Sequence, residues 1–236
     1  MTEPTSILFA IFPGVTQLDF TGPHQVLSRL PGAQVRVASV SGEPVAADGL
    51  VFAGLARLDT IERCDVLCVP GGAGTDRAIL DPAFLAEIGR LAAKARYLTS
   101  VCTGSLVLGA AGLLRGKRAA CHWSARDLLA RFGAIPDPGR VVRDGNILTG
   151  GGVTAGIDFA LTLAAEIAGP EVAQAIQLSL EYAPAPPFMA GSPDTAAPEV
   201  VARVRRLGAA ARQAREAAVE TASRSGYIQS YVEDRR

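Results

Sequence analysis

The stretch Tyr97–Leu108, Y-L-T-S-V-C-T-G-S-L-V-L, constrains the fold more than any other part of the chain. Its first half, Tyr97–Val101, is apolar or β-branched and predicts a buried strand. From Thr103 onward the residues are small and predict a helix that Gly112 can end. Cys102 stands at the junction. A strand-to-helix turn presents such a sulfur at the sheet edge, as in a nucleophile elbow. The N–H groups of Thr103 and Gly104 and the helix dipole favour a thiolate there, so the expected thiol pKa is low. The alternative is a buried cysteine serving as a small hydrophobe.

Around this element, strands and helices alternate. Ser6–Phe12 is a continuous apolar run suited to a strand covered on both faces. Pro13-Gly14 breaks it, and a helix is expected from His24 to about Leu30. A strand near Gln34–Ser39, a hairpin over Val45–Phe52 and a buried strand at Asp65–Val69 follow. Pro82–Lys94 reads as an amphipathic helix, Arg118–His122 as a strand and Ala125–Phe132 as a helix. Arg140–Leu148 reads as an antiparallel pair turning at Asp144-Gly145-Asn146. A long helix is expected over Ala155–Ala168, stopped by Gly169-Pro170, and another from Glu171 to about Tyr182. The pattern predicts an α/β fold: an open, mostly parallel sheet with helices on both faces, spanning residues 1–182.

Residues 183–236 differ. A proline-rich segment comes first. Pro198–Arg224, rich in Ala, Arg and Glu, then predicts one amphipathic helix with Val201, Val204, Leu207 and Ala211 on its apolar face, packed on the domain or on a partner subunit. Tyr227–Arg236 reads as a frayed polar end.

The formal net charge is zero, which gives no footprint for nucleic acid or an anionic membrane surface. No run reaches the ~18 apolar residues of a membrane-spanning helix. The N-terminus lacks the basic region of a signal peptide, so the expected location is cytoplasmic, with reduced thiols. The spacing of Cys64, Cys68, Cys102 and Cys121 predicts neither a zinc site nor a disulfide.

Ligands of open parallel sheets bind beyond the carboxyl ends of the strands. Three loops should meet there. The first carries Asp19, which can share a proton with a nearby thiol or merely cap a helix. The second, Pro70-Gly71-Gly72-Ala73-Gly74, offers backbone N–H groups to developing negative charge, although glycine-rich turns are often only turns. It is neither a phosphate loop nor a dinucleotide fingerprint. The third is the Cys102 elbow. His122 can activate a thiol, or can be a hydrogen-bonded strand-edge residue. Gly150-Gly151-Gly152 makes a tight turn or permits close backbone approach.

The segments Q-L-D-F-T-G-P-H, V-P-G-G-A-G, S-V-C-T-G-S-L-V-L-G-A-A-G-L-L, H-W and L-T-G-G-G-V-T-A-G-I-D-F-A-L resemble the ThiJ/PfpI superfamily of flavodoxin-like proteins. The tail L-E-Y-A-P-A-P-P-F-M-A-G-S-P-D-T-A narrows the resemblance to its isocyanide-hydrating members, over about residues 6 to 215. The resemblance implies a cofactor-independent hydro-lyase acting on a small isocyanide and water, working as a homodimer. It implies that Cys102 attacks the isocyanide carbon and that Asp19 is the general acid and base. It places the Gly72 and Thr103 N–H groups in an oxyanion-type pocket, with Gly71, Gly151, Val153, His122 and Trp123 around the substrate. Asp19 stands where redox-protective members carry a longer glutamate. No His follows Cys102, unlike in the protease and amidase members. The alternatives are a glyoxalase-III or deglycase activity and an oxidative-stress role for the same cysteine. A transcriptional regulator is disfavoured because no helix-turn-helix pair or basic stripe is present.

Overall fold

In the computed structural model, which describes residues 4–224, the elements follow in chain order as β1 (Thr5–Ala10), α1 (Gln17–Leu27), β2 (Ala33–Ser39), β3 (Val45–Ala47), β4 (Leu50–Phe52) and β5 (Ala56–Arg57). They continue with β6 (Val66–Val69), α2 (Thr75–Ala78), α3 (Pro82–Ala92), β7 (Tyr97–Val101), α4 (Gly104–Ala110), β8 (Arg118–Ala119), β9 (Ile135–Pro136), β10 (Val141–Asp144) and β11 (Ile147–Gly150). Helices α5 (Ala155–Ala168), α6 (Pro170–Ser179), α7 (Pro198–Leu207) and α8 (Ala209–Arg224) complete it. The expectation for Tyr227–Arg236 falls outside the described residues.

The main sheet has seven strands in the order β10-β11-β7-β6-β1-β2-β5. All its pairings are parallel except β10 with β11, the expected hairpin. The central strands β6 and β7 are buried along their whole length because helices cover both faces, which is why they read as apolar runs. Phe9, Phe84, Phe132 and Phe159 are among the largest fully buried side chains. Residues 45–52 form a separate two-stranded hairpin, as expected. No helix among the described residues is long and apolar enough to cross a membrane.

Four boundaries differ from expectation. Helix α1 begins at Gln17, not His24. Gly22-Pro23 reads locally as a breaker, yet here it is the contact with α5: Gly22 lies against Ile157 and Pro23 against Gly156. The expected strand Arg118–His122 keeps ladder pairing only at Arg118–Ala119. Beyond it side chains take over, as Thr149 Oγ1 accepts from Ala120 N–H and Ser105 Oγ donates to the Ala120 carbonyl. Arg126–Phe132 winds as a 3-10 helix rather than an α-helix, turning Leu128, Leu129 and Phe132 inward.

The fourth difference is in the tail. The predicted single helix breaks at Gly208 into α7 and α8. The predicted apolar face is not the buried one: Val204 is 47% and Leu207 76% exposed, and Ala211 is exposed. The buried residues are Ala218, Val219 and Ala222, which seat α8 against α2, α4 and the 3-10 segment. The break rotates the periodicity, so a face drawn through Leu207 and Ala211 spans two helices.

Candidate active site

Strand β7 delivers Cys102 to the carboxyl edge of the sheet, and its N–H continues the pairing by donating to the Gly150 carbonyl at 3.0 Å. The turn into α4 then sets Cys102 at φ 58°, a left-handed conformation that costs a non-glycine residue roughly 1–2 kcal/mol. Holding this strained residue requires close backbone packing from the Pro70–Gly74 loop. A Cβ on Gly104 would lie 2.0 Å from the Val69 carbonyl, and one on Gly71 only 2.4 Å from the Thr103 nitrogen. Glycine is obligatory at both positions.

Asp19 stands in the first turn of α1, 1% exposed. It does not cap the helix, because the N-cap position is Thr16 and makes no side-chain cap bond. Instead its Oδ2 accepts from the Gly71 N–H at 3.0 Å, linking the first and second loops. The buried Oδ1 has no hydrogen-bond partner of ordinary length among the described residues. Cys102 faces this carboxyl closely enough that each perturbs the other's ionisation.

Burial pushes the Asp19 carboxyl from 3.8 up to about 7, against the pull of the Gly71 N–H and the Cys102 thiol. Asp48, from the β3–β4 turn, adds to the rise. The expectation of a low thiol pKa is corrected. Burial drives Cys102 well above the ordinary thiol range, and the charges of Asp19 and Cys121 push the same way. The Thr103 N–H opposes them but does not offset the lost hydration. Two acids that both resist ionisation, side by side, share protons rather than lose both.

Thr103 organises the loop. Its Oγ1 accepts from the Gly72 N–H at 3.0 Å and bonds with Thr75 Oγ1 at 2.8 Å. The Gly72 N–H is therefore engaged by Thr103 within the resting site. Gly151 is buried, its N–H held by the Arg140 carbonyl at 2.9 Å, and Val153 packs half-buried against the core. Both lie in the turn whose Gly150 carbonyl holds Cys102.

His122 Nδ1 is hydrogen-bonded with Ser124 Oγ at 2.8 Å. Burial and the Arg215 charge lower its pKa. His122 and Trp123 line a groove of about 610 Å³ closed on its far side by Val204, Ala211, Arg212 and Arg215. Thr75 and Asp76 join the glycine loop through Thr103 and Arg215, and no local signal marks Arg215, which reaches the loop from 143 residues beyond Gly72. The four cysteines are free and buried, and no cluster of His, Cys, Asp or Glu among the described residues could hold a metal ion.

A doubly covered parallel sheet with a strained cysteine elbow, a proton-sharing carboxyl and a glycine loop at its carboxyl edge defines a family. The DJ-1/PfpI family model matches residues 5–166, and the chain belongs to that family. Among its relatives, it is 54% identical over 216 residues to the isonitrile hydratase of Pseudomonas putida, covering 91% of this chain and 95% of that one. A ThiJ/PfpI family protein from Pseudomonas syringae superposes with a TM-score of 0.89 at 44% identity, over 92% and 91% of the two chains. Drosophila melanogaster DJ-1beta superposes at 0.68 with 26% identity, covering 77% of this chain and all of that one.

Proposed function

We propose that the protein is an isocyanide (isonitrile) hydratase that converts R–N≡C to the N-formamide. The observation that carries this reading is the buried Cys102–Asp19 pair, whose carboxyl, raised to about 7, exchanges a proton near neutral pH and has one oxygen without a partner among the described residues. An isocyanide carbon needs a soft nucleophile and an adjacent acid, and this pair supplies both.

In the first step the Cys102 sulfur bonds to the isocyanide carbon. The thiol proton passes to the Asp19 carboxylate, and Asp19 delivers it to the same carbon, which returns Asp19 to carboxylate and leaves a neutral thioimidate, Cys–S–CH=N–R. The Thr103 N–H holds the negative charge on sulfur as the proton departs. In the second step Asp19, as carboxylate, takes a proton from water while the oxygen adds to the thioimidate carbon. That proton moves to nitrogen. Collapse of the adduct makes the formamide carbonyl, breaks the C–S bond and returns the hydroxyl proton to the pair. The sum is R–NC plus H2O to R–NH–CHO, with no organic cofactor or metal ion entering any step. The burial of both groups keeps bulk water from competing for the proton.

Gly71 positions Asp19 through its N–H, Gly72 positions Thr103, and Gly151 and Val153 bound the elbow from the β11–α5 turn. His122 and Trp123 form the groove for the R group. The catalytic unit ends at about residue 182, with residues 183–224 as its covering segment. A homodimer in the cytoplasm is the form in which it works. Leu178, Phe188, Met189 and Leu207 support the dimer, since they are 82%, 77%, 78% and 76% exposed in the single chain. Supplying an aryl isocyanide, and separately methylglyoxal and peroxide, tests the assignment. Formamide release supports it. Consumption of methylglyoxal or sulfinate formation at Cys102, without formamide, transfers the site to another activity of its family.

A further inference from the structure

We propose that Arg215, on the C-terminal helix α8, is a positioning residue for the Asp19–Cys102 pair and acts through the peptides of Gly71 and Gly72. The kinetic part of this inference rests on the hydratase reading above; the geometric part does not.

Helix α8 lies beyond the residues matched by the family model. Its buried Ala218, Val219 and Ala222 set it against α2 and α4, and this brings Arg215 over the Gly72–Asp76 turn with its side chain only 14% exposed. The guanidinium uses two donors on one loop. Nε donates to Asp76 Oδ1 at 2.6 Å, and Nη2 donates to the Gly72 carbonyl at 3.1 Å. A planar fork bound at two points fixes a backbone direction as well as a distance.

That direction matters because of what the neighbouring peptides hold. The Gly72 N–H donates to Thr103 Oγ1, directly beside Cys102, and the Gly71 N–H donates to Asp19 Oδ2. Thr16 N–H holds the Gly71 carbonyl at 2.9 Å from the other side. A loop with three glycines in five residues has wide conformational freedom of its own, so these bonds persist only if the loop is pinned from outside. Arg215 is the charged pin. Arg212, one turn earlier, faces away to Asp127, Glu216 and the Ser124 carbonyl, and does not reach the loop.

Without Arg215 the Gly72 carbonyl keeps the Thr75 N–H at 3.2 Å and the Thr103 hydroxyl at 3.4 Å but loses its anchor from α8, so the turn can shift and loosen the Gly71 N–H from Asp19. The carboxylate then loses a stabilising donor, and its pKa moves further up. The charged and titratable groups facing Asp19 are Cys102 and Asp48, and those facing Arg215 are Asp76, Cys121 and His122. None of these takes the place of the missing bond.

The test compares the full-length wild type with Arg215→Lys, Arg215→Ala and Arg215→Ala/Asp76→Ala, the last avoiding an unpaired half-buried carboxylate. Two readouts are taken: the pH dependence of Cys102 alkylation by iodoacetamide, followed on the Cys102 peptide by mass, and kcat and KM with an aryl isocyanide. In both alanine variants the alkylation midpoint moves by at least about half a pH unit, and kcat falls about tenfold with KM little changed. Lysine, which keeps the charge but not the planar fork, recovers part of both. A double variant with the wild-type alkylation profile and kcat, and only a lower melting temperature, overturns the proposal and leaves Arg215 as a clamp for stability. If the wild type releases no formamide but the alkylation midpoint still moves, the positioning role stands and the hydratase reading falls.

Discussion

Asp19→Asn should make the protein more stable at neutral pH while removing its activity, and the gain should grow with pH. The asparagine keeps an oxygen for the Gly71 N–H but cannot ionise. In the wild type the Asp19 carboxyl is raised from 3.8 to about 7 by burial. Between those values the folded chain holds a proton that the unfolded chain releases, so stability falls as pH rises through this window and levels off above about 7. Each pH unit inside the window costs about 1.4 kcal/mol, so the full penalty is about 4 kcal/mol, of which about 2.5 kcal/mol accrues between pH 5 and 7.5. For a chain of this size that increment corresponds to a relative shift of about 5–10 °C in melting temperature. Melts of the two proteins at several pH values over that range measure it, and using the change with pH cancels any fixed difference in amide and carboxyl hydration. A melting gap that stays constant from pH 5 to 7.5, or one that moves in favour of the wild type as pH rises, refutes the reasoning.

Cys102→Ala should keep the melt of the wild type within a few degrees while turnover falls by at least about a thousandfold, read by formamide release. Gly71→Ala places a Cβ 2.4 Å from the Thr103 nitrogen and 2.5 Å from its Oγ1, so it should cost both activity and about 2 kcal/mol or more of stability, measured by turnover and denaturant unfolding. Thr103→Val leaves the buried Gly72 N–H without its acceptor and should destabilise by about 1–3 kcal/mol on the same unfolding assay. Light scattering at micromolar concentration should give the mass of two chains; a monomer removes the dimer from the account.

What was legible in the sequence follows from how local its cause is. The buried runs of β1, β6 and β7 mark themselves, because a strand covered on both faces has no polar alternation to hide it. The Asp144-Gly145-Asn146 turn and the Cys102 elbow are equally local. The start of α1 was not legible, since Gly22-Pro23 breaks a helix in isolation and only the surface of α5 makes it tolerable. The thiol's ionisation is not legible for a related reason. Helix dipole and N–H contacts can be read from neighbours in the chain, whereas burial and the charges of Asp19 and Cys121 come from segments that the sheet brings in from afar. The hydrogen bond from Arg215 to Gly72 is the extreme case, as no periodicity marks which arginine of a polar helix turns inward.

Hydration passes, on the proposed mechanism, through a covalent bond to Cys102. Mixing the enzyme with an aryl isocyanide, quenching in acid at successive times and weighing the Cys102 peptide measures it most directly. The expected result is a transient peptide heavier by the whole isocyanide, with no atom lost, rising before formamide and absent from the Cys102→Ala protein. Formamide released by Cys102→Ala at a rate comparable to the wild type contradicts it.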